Sequence, residues 1–187
     1  MATTFTWFYM GTSTTQLDPT EGNTVVENAN STAFIGKTFG TAGDPLYNHI
    51  SSATLIDRGG TAGALDVNNS LSNDQFTTNI GAGVQTFTYD ASIIYDATIT
   101  YANGTTATVT AVIVQSTTGQ LFFAPDRTAN PAPDTVAFEA SPIVSVRLIS
   151  VHDNVTSFSG LDINRIVTGF DDGYIDGTSG NDLINSS

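Results

Sequence analysis

At 187 residues the chain is long enough for one domain with a substantial core, and 40% apolar content with 11 Phe, 6 Tyr and 1 Trp marks a globular protein, not a disordered one. Five basic residues against 18 acidic ones, a formal charge of −13, leave no Lys/Arg cluster for nucleic acid or an anionic membrane surface. The absence of cysteine excludes disulfides, thiolate metal sites and a Cys nucleophile, and no apolar run approaches the length needed for membrane insertion. Thr occurs 30 times, and its stiff, branched Cβ favours strands. Lys, Glu and Met, which favour helices, are few. An all-β domain is expected.

In chain order, Thr3–Met10 reads as a strand inside a sheet, with Phe5, Trp7 and Tyr9 on one face and Phe8 and Met10 on the other. Further strand signals are "TAFIGKTF", "YNHISSATLI", "DQFTTNI" and "VQTFTYD". Next, "SIIYDATITYANGTTATVTAVIVQSTTGQLFFAP" reads as two strands around an Asn-Gly turn and a third after "STTG". "PIVSVRLISVHD" and "DINRIVTG" complete the set. Eight to ten short antiparallel strands with Gly, Pro, Asn and Asp punctuation describe a β-sandwich, or its jelly-roll variant, over residues 1–168.

The Asn-Gly hairpin admits two registers. A two-residue loop would mix apolar and polar residues on each face. A three-residue loop, Ala102-Asn103-Gly104, pairs Tyr101 with Thr105, Ile99 with Ala107, Ala97 with Val109 and Tyr95 with Ala111. One face is then nearly all apolar, and Gly104 takes the left-handed position of the loop. Because a one-residue slip turns every side chain over, burial selects the second register. Ile93, Tyr95, Ile99, Val109 and Ile113 should be buried. Asp96, Thr98, Thr100, Thr106, Thr108 and Thr110 form the other face, which reads as an ordinary solvated surface or as an ice- or sugar-binding one.

The end of the chain differs from its body. "GTSGNDLIN", Gly177–Asn185, matches the nonapeptide G-G-x-G-x-D-x-U-x at Gly177, Gly180, Asp182 and Ile184, with Thr178 in place of a glycine. It resembles the first turn of an RTX (repeats-in-toxin) calcium β-roll, over residues 169–187. That resemblance implies Ca²⁺, with Asp176 and Asp182 facing the ion and Ile184 filling a thin core. One turn cannot bury its apolar residue alone or complete a calcium site shared between turns. The chain is therefore expected to be the N-terminal part of a longer bacterial protein exported by type I secretion, whose signal is C-terminal and uncleaved. "DPTEGNTVVENANSTAFIGKTFG", "DVNNSLSNDQF" and "YDATITYANGTTATVTAVIVQ" resemble an N-terminal β-domain of bacterial secreted proteins that carry RTX repeats or a Hint autoprocessing domain. No activity follows from that resemblance, and no Hint motif lies in the chain.

Two loops of the body are rich in oxygen ligands. "DVNNSLSND" alternates oxygens at Asp66, Asn68, Ser70, Ser72 and Asp74, but has neither the turn glycine nor the bidentate Glu of an EF-hand. It reads as a calcium loop centred on Asp66, Asn68 and Asp74, or as an Asx-turn loop that satisfies its own backbone. "DPTEGN", with Asp18 and Glu21, is the weaker candidate. Catalysis has little support: His49 and His152 read as structural or exposed, and no G-x-S-x-G or H-E-x-x-H motif is present.

Three functions fit. The first is a non-catalytic binding module for extracellular polysaccharide or another cell-surface component, stacking sugars on aromatics such as Trp7, Tyr47, Tyr89 or Tyr174. The second is a structural or adhesive module capable of self-association. The third is a polysaccharide hydrolase using two carboxylates. All three place the protein outside the cell or on the bacterial surface.

Overall fold

The computed structural model describes residues 4–20, 29–58, 73–81, 83–125, 137–138 and 140–152. Its strands are β1 (Thr4–Thr12), β2 (Thr38–Phe39), β3 (Ile50–Ile56), β4 (Gln75–Asn79), β5 (Val84–Tyr101), β6 (Thr106–Ser116), β7 (Gln120–Pro125) and β8 (Ile143–Val151). Short 3₁₀ turns occupy Ser31–Phe34 and Leu46–Asn48. Every strand pairing is antiparallel, as the sequence predicts.

The eight strands form one sheet in the order β2-β8-β5-β4-β3-β1-β7-β6, and β6 pairs a second time with β5. Strands β5-β4-β3-β1-β7-β6 thus form a closed ring of pairings, while β8 and β2 extend from the later half of β5. Closure pairs edges that an open sheet of these six strands would leave exposed. The layers facing each other across the core are opposite walls of a single sheet. Phe76 of β4 and Phe122 of β7 meet across it at 5.3 Å between ring centroids, although β3 and β1 stand between their strands.

Residues directly paired across antiparallel strands share a face, so the registers sort the core into two sides. Trp7, Phe76, Phe87, Tyr89 and Phe122 pack inside the ring, with Trp7–Phe76 at 5.3 Å and Phe76–Tyr89 at 4.7 Å. Phe8, next to Trp7 in sequence, points the opposite way and stacks on Phe123 at 5.8 Å, which in turn meets Phe138. This second side continues through Ile93, Tyr95, Ile99, Val109 and Ile113, all buried, and through Val146 and Leu148 of β8. The segments carrying Leu17 and Phe34 lie over it: the Tyr95 hydroxyl donates to Ser31 O at 2.6 Å, and Leu17 N donates to Gln115 Oε1 at 2.6 Å. Each fully buried large apolar side chain contributes about 1.5–3 kcal/mol, so both sides carry the fold.

The hairpin has the expected register. Tyr95 pairs with Ala111, Ala97 with Val109 and Ile99 with Ala107. Tyr101 N donates to Thr105 O, and Gly104 has φ +83° in the loop Ala102-Asn103-Gly104. Two strand expectations are corrected. "TAFIGKTF" is a 3₁₀ turn followed by the two-residue β2, because the turn drives Phe34 fully into the core. "VQTFTYD" and "SIIYDATITY" are a single 18-residue strand, β5, since no Gly or Pro separates them. A bulge between Tyr89 and Ala91 lies where β5 passes from its pairing with β4 to its pairings with β6 and then β8.

Candidate functional site

Among the described residues, β5 and β6 carry a Thr-rich polar face that β8 extends. Along β6, Val112 and Val114 are buried, Thr110 is half-buried, and Thr108 and Thr106 are exposed, all on one face. On β5, Ile94 is buried and Asp96, Thr98 and Thr100 are half-buried. The face that lines the ring at the base of the hairpin therefore emerges as a hydroxylated surface at its tip. Arg147 of β8 pairs with Thr98 and brings a positive charge to it.

At the margin of this face Asp96 accepts from Ser150 Oγ at 2.6 Å and from His152 Nδ1 at 2.6 Å. The Ser150 hydroxyl, then the His152 ring, hold the Asp96 carboxyl below its usual range against a small opposing effect of burial, and the charge of His152 adds to the lowering. Composition alone would suggest a Ser-His-Asp triad, but the order is wrong. The carboxylate stands between serine and imidazole, each on its own oxygen, and the serine proton is directed to Asp96 instead of to a basic ring nitrogen. With His152 N donating to Ile94 O at 2.9 Å, this cluster fastens the end of β8 to β5. His49 makes a similar surface contact, donating from Nε2 to Asp44 Oδ1 at 2.6 Å.

The residues singled out in the sequence fall in different places. Trp7 and Tyr89 are corrected as sugar platforms: they are 4% and 1% exposed, and their rings are occupied by the aromatic interior. A stacking platform needs an open ring face, and the alternation that places Trp7 opposite Phe8 puts both of these rings in packed surroundings. Tyr47 is half-buried in the Leu46–Asn48 turn. Asp74 is buried; its Oδ1 accepts from Arg58 N at 2.7 Å and its carbonyl from Tyr89 N at 2.9 Å, so it ties the backbone after β3 to β5. Asp66, Asn68, Asp176, Asp182 and Tyr174 lie outside the described residues, as do the RTX-like segment, Glu21 and "DINRIVTG". Among the described residues, no group of three or more His, Asp or Glu side chains could hold a metal ion.

Sequence reasoning missed Asp90 and the true partner of His152. Asp90, 1% exposed, lies between apolar neighbours in "FTYDASIIY", and an acid inside such a run is itself a signal of a buried polar position. The partner of His152, Asp96, is 56 residues away in the chain, beyond the reach of any local pattern. Compared with protein-family models, curated proteins and solved structures, the chain matches none.

Proposed function

We propose that this chain is a non-catalytic N-terminal module of a secreted, calcium-dependent bacterial surface protein. It meets extracellular polysaccharide or another cell-surface component through the Thr-rich face of β5, β6 and β8. The observation that carries this reading is the single sheet face that is apolar core at Val112 and Val114 and exposed hydroxyls at Thr108 and Thr106. Hydroxyls donate and accept, as sugar hydroxyls do, and a flat array of them suits a polymer held by many weak, water-assisted hydrogen bonds. The RTX-like nonapeptide supports the calcium and secretion parts of the reading, with Asp176 and Asp182 as ligands once further repeats follow and Asp66, Asn68 and Asp74 as the body loop.

The test is a glycan array, with and without calcium, on wild type and on Thr106→Glu/Thr108→Glu. The expected result is binding in wild type that the double variant loses at unchanged melting temperature. Binding that survives the double variant would remove this face from the proposal.

A structural, self-associating module is the second reading. Ile35 and Ile149, 42% and 44% exposed, flank the backbone contact in which Gly36 N donates to Leu148 O, next to the short edge strand β2. Sedimentation that depends on concentration in wild type and not in Ile149→Lys would favour it.

A further inference from the structure

We propose a calcium site in the body of the domain, formed where the segment Thr15–Asp18 docks against the bulge of β5, with Asp18 and Asp90 as its carboxylate ligands and Gln16 supplying an amide oxygen. It does not depend on the RTX-like tail or on the Asp66–Asp74 loop. The segment is anchored by Gln115, whose Oε1 accepts from Leu17 N at 2.6 Å and whose Nε2 donates to Thr15 O at 2.9 Å. Gln16 Nε2 donates to Thr117 O at 2.7 Å, and Asp18 N donates to Asp90 Oδ2 at 3.3 Å. The last contact sets the backbone of Asp18 against the Asp90 carboxylate, although 72 residues separate them in the chain. Both residues are buried, at 3% and 1% exposure.

Two enclosed oxygens of this segment point to a cation. Asp18 Oδ1 accepts from Thr20 N at 3.1 Å, but Asp18 Oδ2 is enclosed without a hydrogen-bond partner, and so is Gln16 Oε1. Gln16 has its amide orientation set by the Thr117 carbonyl, which only the NH₂ end can serve, so the oxygen end must face inward. A buried acceptor that meets no donor carries its full desolvation cost, and a buried carboxylate carries more. A divalent ion held between this segment and the bulge would serve both. A mixed set of carboxylate and amide oxygens held by an irregular segment and a strand bulge suits calcium, which accepts six to eight oxygens in flexible geometry. It suits magnesium poorly, since magnesium requires near-ideal octahedral geometry.

The site also has a mechanical consequence. Leu17, wedged between Gln16 and Asp18, is fully buried over the second side of the core. Binding of calcium would lock this segment down, coupling the ion to the stability of the sheet.

Terbium, a hard oxygen-seeking ion excited through the neighbouring Tyr89, is the probe, together with thermal melts in millimolar calcium, magnesium or chelator at matched ionic strength. Wild type should give sensitised terbium emission that calcium displaces and magnesium does not, with a melting temperature raised by calcium alone. Asp18→Asn and Asp90→Asn should each weaken terbium and calcium binding roughly tenfold or more. Asp44→Asn, at an exposed acid whose partner is His49, should retain the emission. Absence of sensitised emission and of any calcium-dependent melting shift in wild type overturns the proposal without reference to the variants. Emission unchanged in both Asp18→Asn and Asp90→Asn overturns it as well. Failure of the glycan array leaves all of these outcomes unaffected, so the two proposals stand or fall separately.

Discussion

The tip and the base of the β5–β6 hairpin obey different rules. From Asp96 to Thr110, around the loop, apolar and hydroxylated residues alternate and burial alternates with them. From Tyr89 to Tyr95, and from Ala111 to Ser116, every residue is buried, whichever face it occupies. At the tip one face meets the covering segments and the other meets water. At the base one face lines the closed ring and the other lies beneath the segments of Leu17 and Phe34. The same two strands thus pass from a half-buried to a fully buried sheet within one hairpin, and polar residues change meaning as they do. Thr108 at the tip is surface; Ser92, Asp90 and Gln115 at the base are interior groups held by specific partners.

The sharpest way to break this contrast is to remove volume at the base. Ile113→Ala should lower unfolding free energy by about 2–5 kcal/mol in a denaturant titration, because the site is packed on every side. A loss well under 1 kcal/mol would mean that the base is as tolerant as the tip.

The two turns of the hairpin region give a second comparison. Gly104→Ala at the tip meets open space and should cost only the left-handed backbone conformation, about 1–2 kcal/mol. Gly119→Ala, in the β6–β7 turn, has the same conformation and would also place its Cβ 2.2 Å from Ser13 O. It should cost more than Gly104→Ala and should break the contact in which Ser13 N donates to Gly119 O. Equal costs would show that the covering segment moves aside freely.

Asp96 marks the boundary between tip and base, and pH probes it. Its folded carboxyl titrates below the unfolded value, so the stability it contributes is present above about pH 4 and is lost as pH falls through the folded value. Carboxyl NMR titration should find Asp96 low in wild type and raised by both Ser150→Ala and His152→Ala. The effect on stability is small because the side chain is 44% exposed. No shift on removing Ser150 would discount the hydroxyl as its chief cause.

The smallest effect is expected at Thr108→Ala, within roughly 0.5 kcal/mol, because the side chain is exposed. A larger loss would mean that the Thr face is covered in solution.

Legibility follows the same division. The loop Ala102-Asn103-Gly104 and its register could be read in advance because a strand's face pattern is local, with a period of two residues, and only one register sets Tyr95, Ala97 and Ile99 beside Ala111, Val109 and Ala107 on one side. Trp7 and Tyr89 could not be assigned that way. Their ring faces look available in the sequence, and only closure of the ring encloses them. The candidate calcium site was half legible: Asp18 stood out in an oxygen-rich loop, whereas Asp90 was hidden in a strand that pattern alone makes apolar.

By itself, then, the sequence determined an all-β antiparallel chain, the hairpin register and the division of β1 into two apolar faces. Each of these depends on side-chain alternation and turn chemistry within a few residues. The tertiary structure decided the rest: that β6 returns to β5 and closes six strands into a ring, and that Leu17 and Phe34 cover a second face. It also decided that Asp18 meets Asp90 and that Asp96 meets His152. These contacts join residues tens of positions apart, and burial that depends on such contacts leaves no periodic trace in the segments it brings together.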